Sequence, residues 1–121
     1  MSPTMRRMLI VDDERDICDC LEHFFAAHGF TVRSAFSGEE ALERLKGDPV
    51  DVMLLDILLP GLSGIEILKQ VKARYPATTV IMVTGIAETD VRQKALAGGA
   101  IGYVTKPFEL NETVWMAALK E

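Results

Sequence analysis

The sequence has little cysteine, no long apolar run and no excess of positive charge, and each shortage removes a class of protein. Only Cys18 and Cys20 are present among 121 residues. They stand two apart in a segment that reads as a helix, where they point to different faces and do not readily bridge. A disulfide-stapled scaffold is thereby disfavoured, and both are expected to be free thiols in a reducing cytosol. No stretch approaches the roughly 18 apolar residues that cross a bilayer. Behind Arg6 and Arg7 the MLIV at 8–11 is too short for the apolar region of a signal peptide. Thirteen basic against eighteen acidic residues leave a formal charge of −5, which argues against direct nucleic-acid or anionic-membrane binding by a broad basic face. There is no low-complexity tract, no long linker and no phosphate loop of the GxxxxGK[ST] type. The expectation is a cytoplasmic protein.

What is present is ordinary in amount, 49% hydrophobic and 26% charged, and enough for one domain over 1–121 with a core that needs no staples. A strand-like apolar run recurs five times, alternating with helical patterns. RMLIV (7–11) leads to a helix from Glu14 to about His28, with Ile17, Leu21, Phe24 and Phe25 inward and Gly29 as its stop. FTVRSA (30–35) is followed by Ser37 and Glu40, a capping box that opens a helix through Lys46 with Ala41, Leu42 and Leu45 inward and Gly47 closing it. DVMLL (51–55) precedes a second such pair, Ser63 and Glu66, and a helix carrying Ile65, Leu68, Val71 and Tyr75 that halts before Pro76. TVIMVT (79–84) precedes a weaker helix from about Glu88 to Ala97, whose inward face is only Val91, Ala95 and Leu96. AIGYVT (100–105) runs into Lys106 and Pro107, with a last helix from about Glu109.

Strands that are apolar nearly throughout, alternating with helices, predict a parallel sheet covered on both faces. Five units are too few for an eight-fold barrel, so an open, doubly wound α/β sheet, a (βα)5 fold, is left. In such sheets ligands sit outside the carboxyl ends of the strands. At those ends stand Asp12 and Asp13, Asp56, Thr84 and Lys106.

Three carboxylates converging would repel one another unless a hard cation sits among them. Magnesium suits an all-oxygen set shared with waters and phosphate oxygens. Thr84 offers a hydroxyl and Lys106 an ammonium, both suited to phosphoryl oxygens. Each residue also has a bland reading. The acids at 12–14 could simply favour a helix dipole, Thr84 could be a β-branched strand residue, and Lys106 a solvated loop lysine. Asp56 could close its strand as an Asx turn. Four bland accounts at one sheet edge are a poor explanation together. The constellation reads as phosphoryl transfer onto a carboxylate.

Through MLIVDDE (8–14), LLDILLPGLSGIEIL (54–68), MVTG (82–85) and GAIGYVTKPFEL (99–110), nearly the whole chain resembles the receiver domain of two-component response regulators, the chemotaxis-regulator-like superfamily. The resemblance implies strand order 2-1-3-4-5, the flavodoxin-like order. It implies that Asp56 is phosphorylated by a sensor histidine kinase. Asp12 and Asp13 would hold magnesium, Asp13 more directly, with Asp56 and the backbone carbonyl of Leu58. Thr84 and Lys106 match the phosphoryl-sensing hydroxyl and amine, and Tyr103 the switch aromatic, although a plain core aromatic is its bland alternative. The expected activity is self-phosphotransfer and autodephosphorylation rather than enzymatic turnover. A second copy or an output domain would dock on the face of the fourth helix, fifth strand and last helix, and the TG at 84–85 and KPFEL resemble receivers of enhancer-binding transcription activators. The bond between Lys106 and Pro107 is expected to be cis.

Departures are few. Ile57 and Leu58 follow Asp56 where the family often has methionine and a polar residue, and Ile86 stands where charged or polar residues are common. Leu58 and Ile86 are expected to shield the phosphoryl group from water. Gly102 and Ser63 replace frequent aspartates. A haloacid-dehalogenase-type phosphatase would need a general acid where Leu58 stands. An FMN module would need phosphate donors where DDERD stands. The remaining alternative is a phosphorylation-independent interaction module, whose mark would be loss of Asp56, an acid or Lys106.

Overall fold

In the computed structural model, residues 6–110 and Trp115 are described. Five strands, β1 (Arg6–Val11), β2 (Phe30–Ala35), β3 (Val52–Leu55), β4 (Thr79–Thr84) and β5 (Gly102–Thr105), alternate with α1 (Arg15–Ala26), α2 (Gly38–Gly47), α3 (Gly64–Arg74) and α4 (Thr89–Ala97). The strands form one parallel sheet in the order β2-β1-β3-β4-β5.

Period-two alternation explains why the central strands are apolar throughout: both faces are covered. Leu9, Val11, Met53, Leu55, Val80 and Met82 face one core, with Ala41 and Leu45 of α2, Ile67, Leu68 and Val71 of α3, and Ala95 of α4. Met8, Ile10, Val52, Leu54, Ile81 and Val83 face the other, with Cys18, Leu21 and Phe25 of α1 and Trp115. That second core contains edge-to-face rings, Phe25 against Phe24, Phe30 and Trp115, and Phe108 against Trp115. Each such pair adds roughly 0.5–1.5 kcal/mol beyond the area it buries. Trp115 is fully buried and its indole donates to the Glu109 carbonyl at 2.9 Å.

The elements differ from the sequence expectation mainly at their ends. Glu14 and Ala27 are caps of α1 rather than members, and the chain reverses at Gly29 with φ +91°. Ser37 caps α2 as expected, but the Glu40 carboxylate reaches back to the amide of Phe36, one residue before the cap. Ser63 accepts from the Glu66 amide at 3.4 Å. In α3 Ile67 is buried and Ile65 only partly so. In α4 only Ala95 is buried, and Leu96, expected inward, is 42% exposed. β5 begins at Gly102 rather than Ala100, because the Ala100 amide donates to Ala95 and closes α4 instead. Glu109 and Leu110 are irregular, Trp115 is helical, and the rest of the expected last helix lies outside the described residues. Cys18 is buried and Cys20 exposed, both free thiols.

Candidate functional site

Strand pairing brings the candidate residues together. The amide of Asp12 donates to Ala35 at 3.1 Å and that of Asp56 to Val11 at 3.0 Å, so the ladder continues one residue past β1 and β3. Adjacent strands therefore hold Asp12 and Asp56 side by side, both buried. Thr84 ends β4, and the Lys106 amide donates to its carbonyl at 2.8 Å, setting Lys106 beside the acids. The peptide between Lys106 and Pro107 is cis, as expected.

The ammonium of Lys106 lies 2.7 Å from Asp12 Oδ2, 2.8 Å from Asp56 Oδ2 and 2.8 Å from Glu14 Oε1. Its three hydrogens are thereby matched to three carboxylates. The second oxygens are also used: Asp12 Oδ1 accepts from the Glu14 amide at 2.9 Å and Asp56 Oδ1 from the Leu58 amide at 3.1 Å. Asp56 thus makes the Asx-type turn that its bland reading required, and it is ion-paired as well. Burial raises the pKa of Asp12, against the opposing pull of Lys106 and the Glu14 amide. For Lys106 burial alone would lower the pKa, but hydrogen bonds to Asp12, Asp56 and Glu14 outweigh it and hold the ammonium above its ordinary value. The lysine is therefore charged throughout the neutral range.

Ligand oxygens of Asp12, Asp13 and Asp56 lie within 4.8 Å of one another, Asp13 being the exposed member. This set fits a hard divalent cation: the donors are all oxygen, and with Glu14 the four carboxylates outnumber the single ammonium. Leu58 contributes its amide to Asp56, and its side chain is 62% exposed.

Thr84 and Tyr103 converge on one residue rather than on Asp56. The fully buried Thr84 hydroxyl accepts from the Ile86 amide at 3.4 Å, and the Tyr103 hydroxyl donates to the Ile86 carbonyl at 2.6 Å. Tyr103 is half-buried with the Arg92 guanidinium 5.7 Å from its ring centre. Burial, then the Glu88 charge, raise its pKa, with Arg92 opposing.

Two residues at the site were not singled out from the sequence. Glu14 was visible as the third acid of its run, but its partner Lys106 is 92 positions away. Gly64 opens α3 beneath Asp56: a Cβ there would lie 2.1 Å from the Asp56 carbonyl oxygen. Its amide donates to Ile57 at 2.8 Å. Cys18 also reaches this region, its thiol 3.4 Å from the Asp12 carbonyl. Burial pushes that thiol up to about 11, so it is unreactive at neutral pH.

The family model described as the response regulator receiver domain matches residues 8–118. The chain belongs to this receiver family. The receiver is 39% identical over 105 residues to the DNA-binding transcriptional regulator NtrC of Escherichia coli K12, covering 87% of this chain and 22% of that protein. It is 38% identical over 106 residues to the transcriptional regulatory protein DltR of Streptococcus agalactiae serotype III (strain NEM316), covering 88% and 47%. It therefore spans less than half the length of these curated relatives. Among solved structures it resembles a CheY-like receiver domain protein from Methanospirillum hungatei JF-1, with TM-score 0.89 and 30% identity over 97% of this chain and 94% of that one. The BeF3-activated DrrB receiver domain gives TM-score 0.86 and 31% identity over 97% and 96%. Among the described residues no helix is long and apolar enough to cross a membrane.

Proposed function

We propose that this receiver is a phosphorylation-operated switch, a single domain over residues 1–121 in the cytoplasm, which takes a phosphoryl group from the phosphohistidine of a sensor kinase onto Asp56. The observation that carries the reading is the buried pair of Asp12 and Asp56 held through one lysine beside the exposed Asp13. A carboxylate oxygen of Asp56 attacks phosphorus, the bond from phosphorus to the histidine nitrogen breaks, and an acyl phosphate forms. The fixed lattice of donors, the Leu58 amide on one oxygen and Lys106 on the other, holds the nucleophile in place. Lys106 then turns one N–H toward the arriving phosphoryl oxygens. Asp12, Asp13 and Asp56, with the Leu58 carbonyl, would hold magnesium, which when bound supplies charge neutralisation for the acids and the phosphoryl oxygens.

The phosphorylated side chain carries nearly twice the charge and three strong acceptors. Thr84 turns to donate its hydroxyl hydrogen to a phosphoryl oxygen and loosens its hold on the Ile86 amide, and because Tyr103 holds the carbonyl of the same residue, the segment before α4 and the ring respond together. With only Ala95 buried, α4 is cheap to shift. The face of α4, β5 and the last helix would pass the change to a second copy or an output domain, transcriptional in relatives such as NtrC. The protein modifies itself and is otherwise not an enzyme.

The test is labelling by acetyl phosphate with magnesium. The wild type should acquire a hydroxylamine-labile phosphoryl group, and Asp56→Asn should not, since an amide is a far poorer nucleophile. Undiminished, acid-stable labelling of the variant would overturn the assignment.

A further inference from the structure

The Lys106 ammonium has three hydrogens and three carboxylate partners, and a phosphoryl group arriving at Asp56 can engage it only by displacing one of them. Asp56 carries the group, and Asp12 is buried and depends on a cation for its charge. Glu14 is different. Its side chain is 59% exposed, so water takes over its hydrogen bonds when the lysine leaves. It also stands at the N-cap of α1 without accepting a capping hydrogen bond there, so its carboxylate is not otherwise engaged in holding the helix.

We propose that Glu14 is a positioning residue, acting through Lys106, that slows loading of Asp56 and biases the site against the more highly charged phosphoryl donors. The inference rests on phosphorylation at Asp56. Two effects have the same sign. Glu14 holds a hydrogen of Lys106 away from the incoming group. It also adds a fourth negative charge at the mouth, outside Asp12, Asp13 and Asp56, and so repels an anionic donor before contact.

The chemistry is balanced without a further reactant. With acetyl phosphate an Asp56 oxygen attacks phosphorus, the bond from phosphorus to the acetyl oxygen breaks, and acetate leaves with the electron pair. With phosphoramidate the bond from phosphorus to nitrogen breaks and ammonia leaves. Near neutral pH the first donor is mainly a dianion and the second a monoanion. A mouth charge acts more strongly on the first.

The experiment compares loading rates of the wild type, Glu14→Gln and Glu14→Asp with both donors, at saturating magnesium, in low and in high salt. Glutamine keeps the size and can still accept from Lys106, but lacks the charge. It should load from acetyl phosphate about two- to fivefold faster, the scale of an exposed charge pair. The gain should be smaller with phosphoramidate, and the difference between donors should shrink in high salt. Glu14→Asp keeps the charge and should stay nearer the wild type than glutamine does. Thermal unfolding of each variant confirms that the fold is intact.

A labelled wild type with an unchanged Glu14→Gln variant would overturn the role of Glu14 and leave phosphorylation standing. So would an equal slowing with both donors, which is what a merely structural contact predicts. An unlabelled wild type would overturn both readings.

Discussion

Replacing Gly64 with alanine would place a methyl group 2.1 Å from the Asp56 carbonyl oxygen, 2.6 Å from the Ile57 Cα and 2.8 Å from the Asp56 carbonyl carbon. All three atoms are backbone, and both residues are tied into the ladder and the loop by the Asp56 amide on Val11 and the Ile57 carbonyl on Gly64. The strain has no flexible side chain to absorb it. Overpacking of this kind costs roughly 1–3 kcal/mol, and here the upper end applies. Alanine is the better helix former by up to about 1 kcal/mol, and less at a first helical position. Crowding wins, and the net loss should be about 2 kcal/mol, or roughly 6–12 °C in Tm for a domain of this size. Because the displaced atoms belong to the proposed acceptor residue, labelling by acetyl phosphate should also slow by about ten- to a hundredfold. Gly38 is a graded comparison: it too follows a serine cap and opens a helix, but its methyl would meet side-chain rather than backbone atoms, Ile67 Cδ1 at 2.6 Å and Cγ1 at 2.8 Å. Gly38→Ala should lose less than Gly64→Ala, about 1 kcal/mol. Thermal melts and labelling of both variants decide. A Gly64→Ala protein as stable and as readily labelled as the wild type would show that α3 moves away from Asp56 at no cost.

Asp13→Ala should weaken magnesium binding by roughly tenfold or more, since two buried carboxylates already shared with Lys106 cannot replace the exposed third. A calorimetric titration unchanged by the substitution would remove Asp13 from the site. The double variant Leu58→Asn, Ile86→Glu should lose its phosphoryl group faster than the wild type, because polar side chains beside the acceptor can orient a water where apolar ones cannot. Equal half-lives, or a faster wild type, would show that the exposed Leu58 and the half-buried Ile86 do not guard it.

Much of the fold was legible because its signals are local. Apolar runs with both faces covered, serine caps three residues before a glutamate, and glycines after α1 and α4 each report on a few neighbouring residues, whereas Gly47 is the last residue of α2 rather than its stop. Those elements were found within one or two positions. The errors fall where a distant contact competes with a local pattern. Ala100 and Ile101 continue the apolar alternation of β5, yet the Ala100 amide closes α4 and the Ile101 amide pairs with Val80 before the strand begins. Leu96 follows the helical period inward, yet it is 42% exposed and only Ala95 of α4 is buried. Ile65 and Ile67 are equally apolar, and only packing against the sheet distinguishes them.

By itself the sequence determined the doubly wound architecture and named acids and a lysine that meet at the carboxyl edge of the sheet, because a carboxylate after a wholly buried strand and polar residues at successive strand ends fall on one edge of a parallel sheet. Tertiary structure decided how the charges are shared. That one lysine holds Asp12, Asp56 and Glu14 together follows from placing β5 beside β4, and β3 between β4 and β1. That Thr84 and Tyr103 hold the amide and the carbonyl of Ile86, and that Gly64 leaves no room for a side chain against Asp56, follow from the same assembly. Pairings such as those of Lys106 with Asp56 and Glu14, 50 and 92 positions apart, leave no periodic trace in a chain. Their energies arise only when folding removes water from between the partners.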